Sequence, residues 1–427
     1  MTETGLDAAE RAIVAKVARR LIPFLAVLYF VSFLDRVNVG FAALTMNQDI
    51  GLDARAYGFG AGIFFIGYFI FEVPSNLIMK KVGARRWIAR IMISWGIVSS
   101  SMAFATGPVS FWCLRFLLGL AEAGFFPGII LYLTYWFPKE TRGRVMGGFL
   151  IAIPLSSALG APLSTALLET SIFGLKGWQT MFIVEGVPAV LLGISVLFLM
   201  PDGPRSAKFL SPEERDRLAA VLDREGAQAT HASLRDGLMS GTVWRFALIY
   251  LGIVIGLYGF GFWAPQMVKS LGDLSTVQVG LVSMGPFALG ALAMHYWGRR
   301  SDRAGSRNVS LAIAAFVGAA GFAVSAVSTD PVLTMAAFTV AAIGIYAALP
   351  VFWTLPTAML TGTAAAGGIA LINSVGNLGG YVGPVAVGWL HGTTGSYAGG
   401  MLVLGAGLVG AGLLALTGRR DTAPIQP

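Results

Sequence analysis

Cysteine is almost missing from this sequence. Cys113 stands alone among 427 residues and lies in an apolar stretch, so a disulfide and a cysteine-ligated metal are both excluded. Histidine is nearly as scarce: His231, His295 and His391 are too scattered along the chain to suggest a metal cluster. Charge is thin as well. Asp, Glu, Lys and Arg make up 12% of the residues, against about 25% in a soluble domain, which excludes an ordinary water-soluble fold. What fills the space is apolar: 56% of the chain is hydrophobic. Windows of about twenty such residues recur, each long enough to cross a bilayer core of roughly 30 Å as a helix. Glycine, at 55 residues, suits close contact between membrane helices. Residues 1–20 are polar and the first apolar run is full-length, so no cleavable signal is expected.

The hydrophobic pattern predicts an all-α membrane protein with twelve spans, at 21–46, 57–79, 87–106, 109–134, 144–168, 179–200, 243–269, 277–297, 309–328, 332–358, 366–391 and 397–417. Lys and Arg are distributed very unevenly about these spans. The two tails and the loops on the tails' side carry 23 of them, in runs such as KKVGARR, PKETRGR and GRRSDRAGSR. The opposite loops carry three, Arg55, Lys176 and Lys269. That asymmetry places both termini in the cytoplasm. It also accounts for the net charge of +8 without any nucleic acid.

One loop is long and polar. Residues 201–242 contain SPEERDRLAAVLDRE, which reads as a short amphipathic helix with Ser211 as N-cap and Pro212 in its first turn. It divides the chain into an N-terminal six-span unit at 1–200 and a C-terminal one at 243–427. The halves share features at one offset. Gly83 and Gly305 are 222 residues apart, as are Pro162 and Pro384, each pair at matching places in its half. Two parallel six-span repeats are an organisation that transporters use.

Four charges fall where water should be scarce: Asp35, Arg36, Arg115 and Glu122. Unpaired, each costs roughly 2.5–3.5 kcal/mol at the centre of the bilayer, on the order of 10–14 kcal/mol together. They must face one another or a wet cavity. Arg115 and Glu122 are seven apart and share a helix face, whereas Asp35 and Arg36 diverge by about 100°. Pairing across helices, Asp35 toward Arg115 and Arg36 toward Glu122, is the natural arrangement, though spacing alone does not fix it. Such pairs would either staple two spans together or handle a solute. Desolvation makes a buried pair a poor staple, which favours the second role. A guanidinium matches a carboxylate with two hydrogen bonds, and a carboxylate released from its arginine is ready for a proton. Glu72 and Arg90 are expected to pair as a gate or strut, Glu185 to serve packing, and Arg245 and His295 to snorkel to the surface. A membrane-embedded enzyme would need grouped nucleophiles, bases or metal ligands, which these scattered residues do not supply. No cofactor is expected.

Several stretches together resemble the anion:cation symporter family of the major facilitator superfamily. They are FLDRVNVG in the first span, FEVPSNLIMKKVGARRW after the second, LRFLLGLAEAGFFPG with YLTYWFP in the fourth, PDGPRSAKFLSPEER in the linker, FWAPQ in the seventh and ALINSVGNLGGYVGPVAVGWL in the eleventh. GRRSDRAG matches the superfamily's loop motif, while its counterpart KKVGARR lacks the acidic residue. The resemblance implies a major facilitator fold of two six-helix bundles and proton-driven import of an organic anion: a sugar acid, dicarboxylate or aromatic carboxylate. It also implies a bacterial inner membrane and a monomer, with the lipid bilayer and protons as the other partners. By motif position, Arg36 and Arg115 would hold the anion, and Asp35 and Glu122 would carry protons. Tyr68, Trp353 and Asn373 would line the site. On the residues alone, Tyr68 and Trp353 are more often packing groups, and Asn373 and Asn377 more often cross-helix hydrogen bonders. Tyr258 is a further aromatic candidate.

Overall fold

The computed structural model describes residues 6–227, 240–303, 305–359 and 362–418, and among them it contains sixteen α-helices, two single 3₁₀ turns and no strand. The first half holds α1 (Ala8–Asp49), α2 (Ala54–Val82), α3 (Ala84–Ser101), α4 (Pro108–Glu122), α5 (Phe125–Thr134), α6 (Lys139–Leu150), α7 (Ala152–Leu168) and α8 (Gly177–Leu199). The linker supplies α9 (Pro212–Ala227). The second half holds α10 (Gly241–Lys269), α11 (Thr276–Arg303), α12 (Arg307–Val327), α13 (Pro331–Met359), α14 (Gly362–Asn377), α15 (Gly379–Thr394) and α16 (Ala398–Leu416). Among the described residues ten segments are long and apolar enough to cross a bilayer, α4 and α5 counting as one of them. The two remaining passes are each made of two helices, α6–α7 and α14–α15. The protein is therefore a multi-pass membrane protein of twelve passes. Of the linker expected at 201–242, residues 228–239, and His231 with them, lie outside the described residues.

The helices follow the expected spans where the apolar pattern is unbroken; the local geometry differs at four points. α1 begins at Ala8 rather than near 21, because Asp7 and Glu10 form a reciprocal cap: Glu10 N donates to Asp7 Oδ1 at 2.8 Å and Asp7 N to Glu10 Oε2 at 2.9 Å. The Glu10 backbone N–H, and after it Arg217, hold the Asp7 carboxyl below its usual range. The cap therefore holds above the ordinary aspartate pKa and fades only as pH falls through the lowered one. The polar extension of α1 is docked on α9 by Lys16–Glu214 (2.7 Å), Arg217–Asp7 (2.5 Å) and Arg224–Glu10 (3.2 Å). α9 starts as expected, with Ser211 Oγ accepting from Glu214 N at 3.2 Å.

The fourth pass breaks between α4 and α5 at Gly124, whose φ of +87° suits only glycine, and a Cβ there would lie 2.1 Å from Ser75 Oγ. The fifth breaks after Leu150, where Pro154 in the first turn of α7 has no N–H to donate back. The eleventh breaks at Leu378, amid Gly376, Gly379 and Gly380, residues of low helix propensity. These breaks set Glu122 in the last turn of α4 and Asn373 and Asn377 in the last turns of α14.

Within the first bundle α3 packs on α8, α2 on α4, and α1 on α7 and α8; within the second, α12 packs on α13 and α16, α11 on α13, and α10 on α15 and α16. The bundles meet along α2–α15, α7–α11 and α1–α10. We call the face bearing α9 and the described ends of α1 and α16 the terminal face, and the other the far face. Toward the far face the bundles touch backbone to backbone. A Cβ on Gly58 of α2 would lie 2.7 Å from Pro384 O of α15, and one on Gly280 of α11 would lie 2.7 Å from Ala161 O of α7. Gly58 and Gly280 are 222 residues apart, the offset already noted for Gly83 with Gly305 and Pro162 with Pro384. Gly83 and Gly305 both have positive φ, +94° and +70°. One repeat thus closes on the other through reciprocal contacts.

Candidate functional site

Between the bundles, near mid-depth, lies a cavity of ≈ 20 Å³ lined by Tyr29, Arg36, Tyr68, Tyr250, Tyr258, Trp353, Asn373 and Asn377, with Phe126 and aliphatic neighbours such as Ile153. That is room for about one water molecule. Arg36 is its only charged lining residue. α1 presents the guanidinium there, 5% exposed, and two elements hold it. Nη1 donates to the Tyr258 hydroxyl of α10 at 2.7 Å. Nη2 is paired with Glu122 of α4, whose Oε1 also accepts from Ser32 Oγ at 2.9 Å. Nε has no partner. The rings of Phe64 and Tyr68 lie 5.4 and 5.5 Å from the guanidinium carbon, close enough for cation–π attraction. The Arg36–Glu122 pair is the cross-helix pair that depth suggested.

The companion pair does not form. Asp35 points away from the cavity toward α3, accepting from Trp95 Nε1 at 2.7 Å and Ser99 Oγ at 3.1 Å. The reason is the 100° step from Arg36: once Arg36 faces the other bundle, Asp35 must face its own. Arg115 lies outside the cavity lining. It donates to two α2 carbonyls, Gly60 O at 3.4 Å through Nε and Ala61 O at 3.1 Å through Nη2. Its carbon sits 5.0 Å from the Phe64 ring, the same ring that flanks Arg36. Gly119 allows this approach, since a Cβ there would clash with Phe64 O at 1.9 Å. The structure therefore brings Arg36, Tyr68, Trp353 and Asn373 around one space, holds Glu122 behind Arg36, and sets Arg115 and Asp35 back from it on different sides.

Toward the terminal face the cavity is covered. Glu72 of α2, one turn beyond Tyr68, is paired with Asn373 Nδ2 and accepts from Ser374 Oγ at 2.7 Å, both on α14. The Phe126 ring of α5 lies 6.2 Å from that of Trp353 on α13. The expected Glu72–Arg90 pair is absent; Arg90 stacks on Trp87 at 4.1 Å and donates to Ala121 O at 3.4 Å. Glu72 turns to the second bundle because α14 offers it two donors. The sequence names Tyr258 only as a further aromatic candidate and gives no sign of the latch from Glu72 to Asn373 and Ser374. The signal for Tyr258 was there, since it stands 222 residues after Arg36, at the repeat offset.

The sequence profile of the Major Facilitator Superfamily matches residues 25–361. The chain belongs to the Major Facilitator Superfamily. Superfamily members transport solutes, so transport, rather than catalysis, is the activity class. Over 422 residues the chain is 50% identical to the "Putative tartrate transporter" of Agrobacterium vitis, covering 98% of this chain and 94% of that one. Over 399 residues it is 43% identical to the "Quinolone resistance transporter" of Acinetobacter baumannii, covering 92% of each. The superfamily fold recurs in the solved structure of a bacterial homolog of the human lysosomal transporter Spinster, with a TM-score of 0.71 at 14% identity, over 93% of this chain and 94% of that one.

Proposed function

We propose that the protein imports an organic anion together with protons, with tartrate the first candidate. The observation that carries this reading is Arg36, the one charged group lining the cavity, held between Glu122 of one bundle and Tyr258 of the other. A carboxylate entering the cavity would compete with Glu122 for the guanidinium fork. Glu122, deprived of its cation and still buried, would then take a proton. Substrate and proton would load in one event. Arg115, beyond the Phe64 ring, would supply the second contact once the bundles part. Tyr68, Trp353 and Asn373 would give shape and neutral hydrogen bonds, and Asp35 would share proton handling. The name of the Agrobacterium vitis relative supports a dicarboxylate as cargo.

The units at 1–200 and 243–427 would rock about this site, joined by the 201–242 linker. The excess of Lys and Arg on the terminal face supports cytoplasmic termini in a bacterial inner membrane. A monomer suffices, because the cavity draws residues from both bundles of one chain.

Reconstituted protein tests the reading. An imposed inward proton gradient should drive tartrate accumulation. Glu122→Gln should retain tartrate counterflow and lose gradient-driven accumulation. Wild-type uptake indifferent to the gradient, or accumulation by Glu122→Gln equal to wild type, would refute coupling at Glu122. The name of the Acinetobacter baumannii relative favours export as a second reading; uphill efflux from tartrate-loaded vesicles, with no uphill uptake, would select it.

A further inference from the structure

On the side of α1 turned away from the cavity, the first bundle encloses a second polar cluster. Asp35 and Asn38 are three residues apart and share a helix face. Asp35 meets Trp95 and Ser99 of α3. Asn38 lies against Glu185 of α8, whose Oε1 accepts from Ser164 Oγ of α7 at 2.7 Å. Asp35, Asn38, Ser164 and Glu185 are all buried, and none lines the cavity.

Two carboxylates sit here without a cation. Among the described residues neither forms an ion pair. The candidate cations are engaged elsewhere: Arg36 by Glu122 and Tyr258, Arg90 by Ala121 O, and Arg115 by the α2 carbonyls. α7 carries no titratable residue and α8 only Glu185. α2 contributes Glu72, held by α14, and α10 contributes Tyr258, held by Arg36. Arg142 of α6 is paired with Glu225 of α9, and Glu214 of α9 with Lys16 of α1, both at the terminal face. Glu122 is the other carboxylate whose charge reaches Asp35.

The hydrogen bonding distinguishes the two acids. Asp35 has a donor on each oxygen. Ser164 gives Glu185 Oε1 a close donor; the Asn38 amide approaches the carboxylate only at longer range, and buried Oε2 has no close partner. Both amide atoms of the adjoining Asn38 are also without one. A proton on Glu185 Oε2 would supply the missing donor, and Asn38 Oδ1 would accept it. With the proton gone, rotation of the amide would bring Nδ2 to Oε2 instead. Asn38 is thus equipped to serve either form.

We propose that Glu185, with Asn38 as its reversible partner and Asp35 as its neighbouring carboxyl group, is a further proton-binding site of this transporter, distinct from Glu122 and Asp35. As a coupling site it rests on the symport reading above; as a proton-binding site it does not. The proton binds to and leaves the carboxylate as a whole, with no other bond made or broken.

Two measurements test it, with tartrate as probe. Infrared spectra of the purified wild type, titrated with pH, should contain a buried protonated-carboxyl band that is missing in Glu185→Gln and displaced in Asn38→Ala. Absence of that band from the wild type, or its persistence unchanged in both variants, would overturn the site. Proteoliposomes then compare proton-driven accumulation. Losing one coupled proton should lower the accumulation ratio about tenfold for each unit of imposed pH difference, with counterflow retained. A Glu185→Gln accumulation ratio equal to wild type would remove Glu185 from coupling. If wild-type tartrate uptake ignores the gradient, the symport reading fails, while the infrared band still decides the site. Should Glu185→Gln not fold, Asn38→Ala carries the spectroscopic test alone, and an unmoved band overturns the partnership.

Discussion

Arg36 commits the two ends of its guanidinium to neighbours on different helices, and that division makes it sensitive to the shape of the fork as well as to charge. Arg36→Lys keeps the charge but cannot reach Glu122 and Tyr258 together. Charge-assisted hydrogen bonds contribute roughly 1.5–3 kcal/mol each, so tartrate affinity should fall at least about tenfold, read by calorimetry on purified protein. Tyr258→Phe removes one hydroxyl and should cost less, about 1 kcal/mol. Arg115→Lys, at the proposed second contact, should also weaken binding. Unchanged affinity with a lowered melting temperature would instead make Arg115 a tie between α4 and α2. Depth was readable in the sequence at this scale, because a charge among apolar residues is conspicuous. Direction was not. The 100° between Asp35 and Arg36 says that they part, but not which way each turns, and Trp95 reads as an ordinary apolar residue until its N–H is seen on Asp35. Glu72 and Asn373, 301 residues apart, could not be joined by any local pattern.

At the scale of elements, apolar runs located the passes and glycine and proline located their breaks only in hindsight. Gly124 ends a helix, because its backbone must turn where Ser75 leaves no room for a side chain. The polar start of α1 carries only a short apolar stripe, Ile13, Val14 and Val17, all buried, and its helix is completed by a cap and by α9, neither visible in hydropathy. The contact between α2 and α14 has a consequence that can be measured. Glu72 is held by Asn373 and Ser374 across the bundles, on the terminal side of the cavity. Removing one donor to a buried carboxylate should loosen that cover by about 1–3 kcal/mol. In a Cys113→Ser background, a cysteine placed at Ile153 on the cavity wall should react faster with a thiol reagent once Asn373→Ala is added, by at least severalfold. Equal rates would mean that the cover is kept shut by the aromatic contact of Phe126 with Trp353 rather than by the latch.

The whole molecule is two copies of one plan, and its far-face closure follows from that repetition. Gly58 lets α2 approach α15, and Gly280, its counterpart 222 residues on, lets α11 approach α7. The offset was legible in Gly83, Gly305, Pro162 and Pro384, but its meaning was not: matching positions reveal a repeat, whereas only coordinates reveal that each copy closes on the other. A methyl group at either glycine meets a backbone carbonyl at 2.7 Å, and a helix backbone cannot yield as a side-chain tip does. Overpacking of this kind costs typically about 1–3 kcal/mol, here charged only to the state in which the far face is shut. Gly58→Ala and Gly280→Ala should therefore act alike, shifting the equilibrium toward an open far face. A cysteine at Val385, whose side chain faces Gly62 in the α2–α15 contact, reports this in a Cys113→Ser background. Its labelling by an impermeant reagent applied at the far face should rise roughly tenfold in both variants, with turnover falling in both. Gly261→Ala, where an added Cβ has nothing within 4 Å, should leave labelling unchanged. The Gly280→Ala result is the discriminating one, because that substitution is on the α7–α11 contact and the reporter is on α2–α15. If the far-face closure is a single rigid-body event, loosening one contact must open the other; if only Gly58→Ala raises labelling, the two contacts open independently and the bundles do not rock as units.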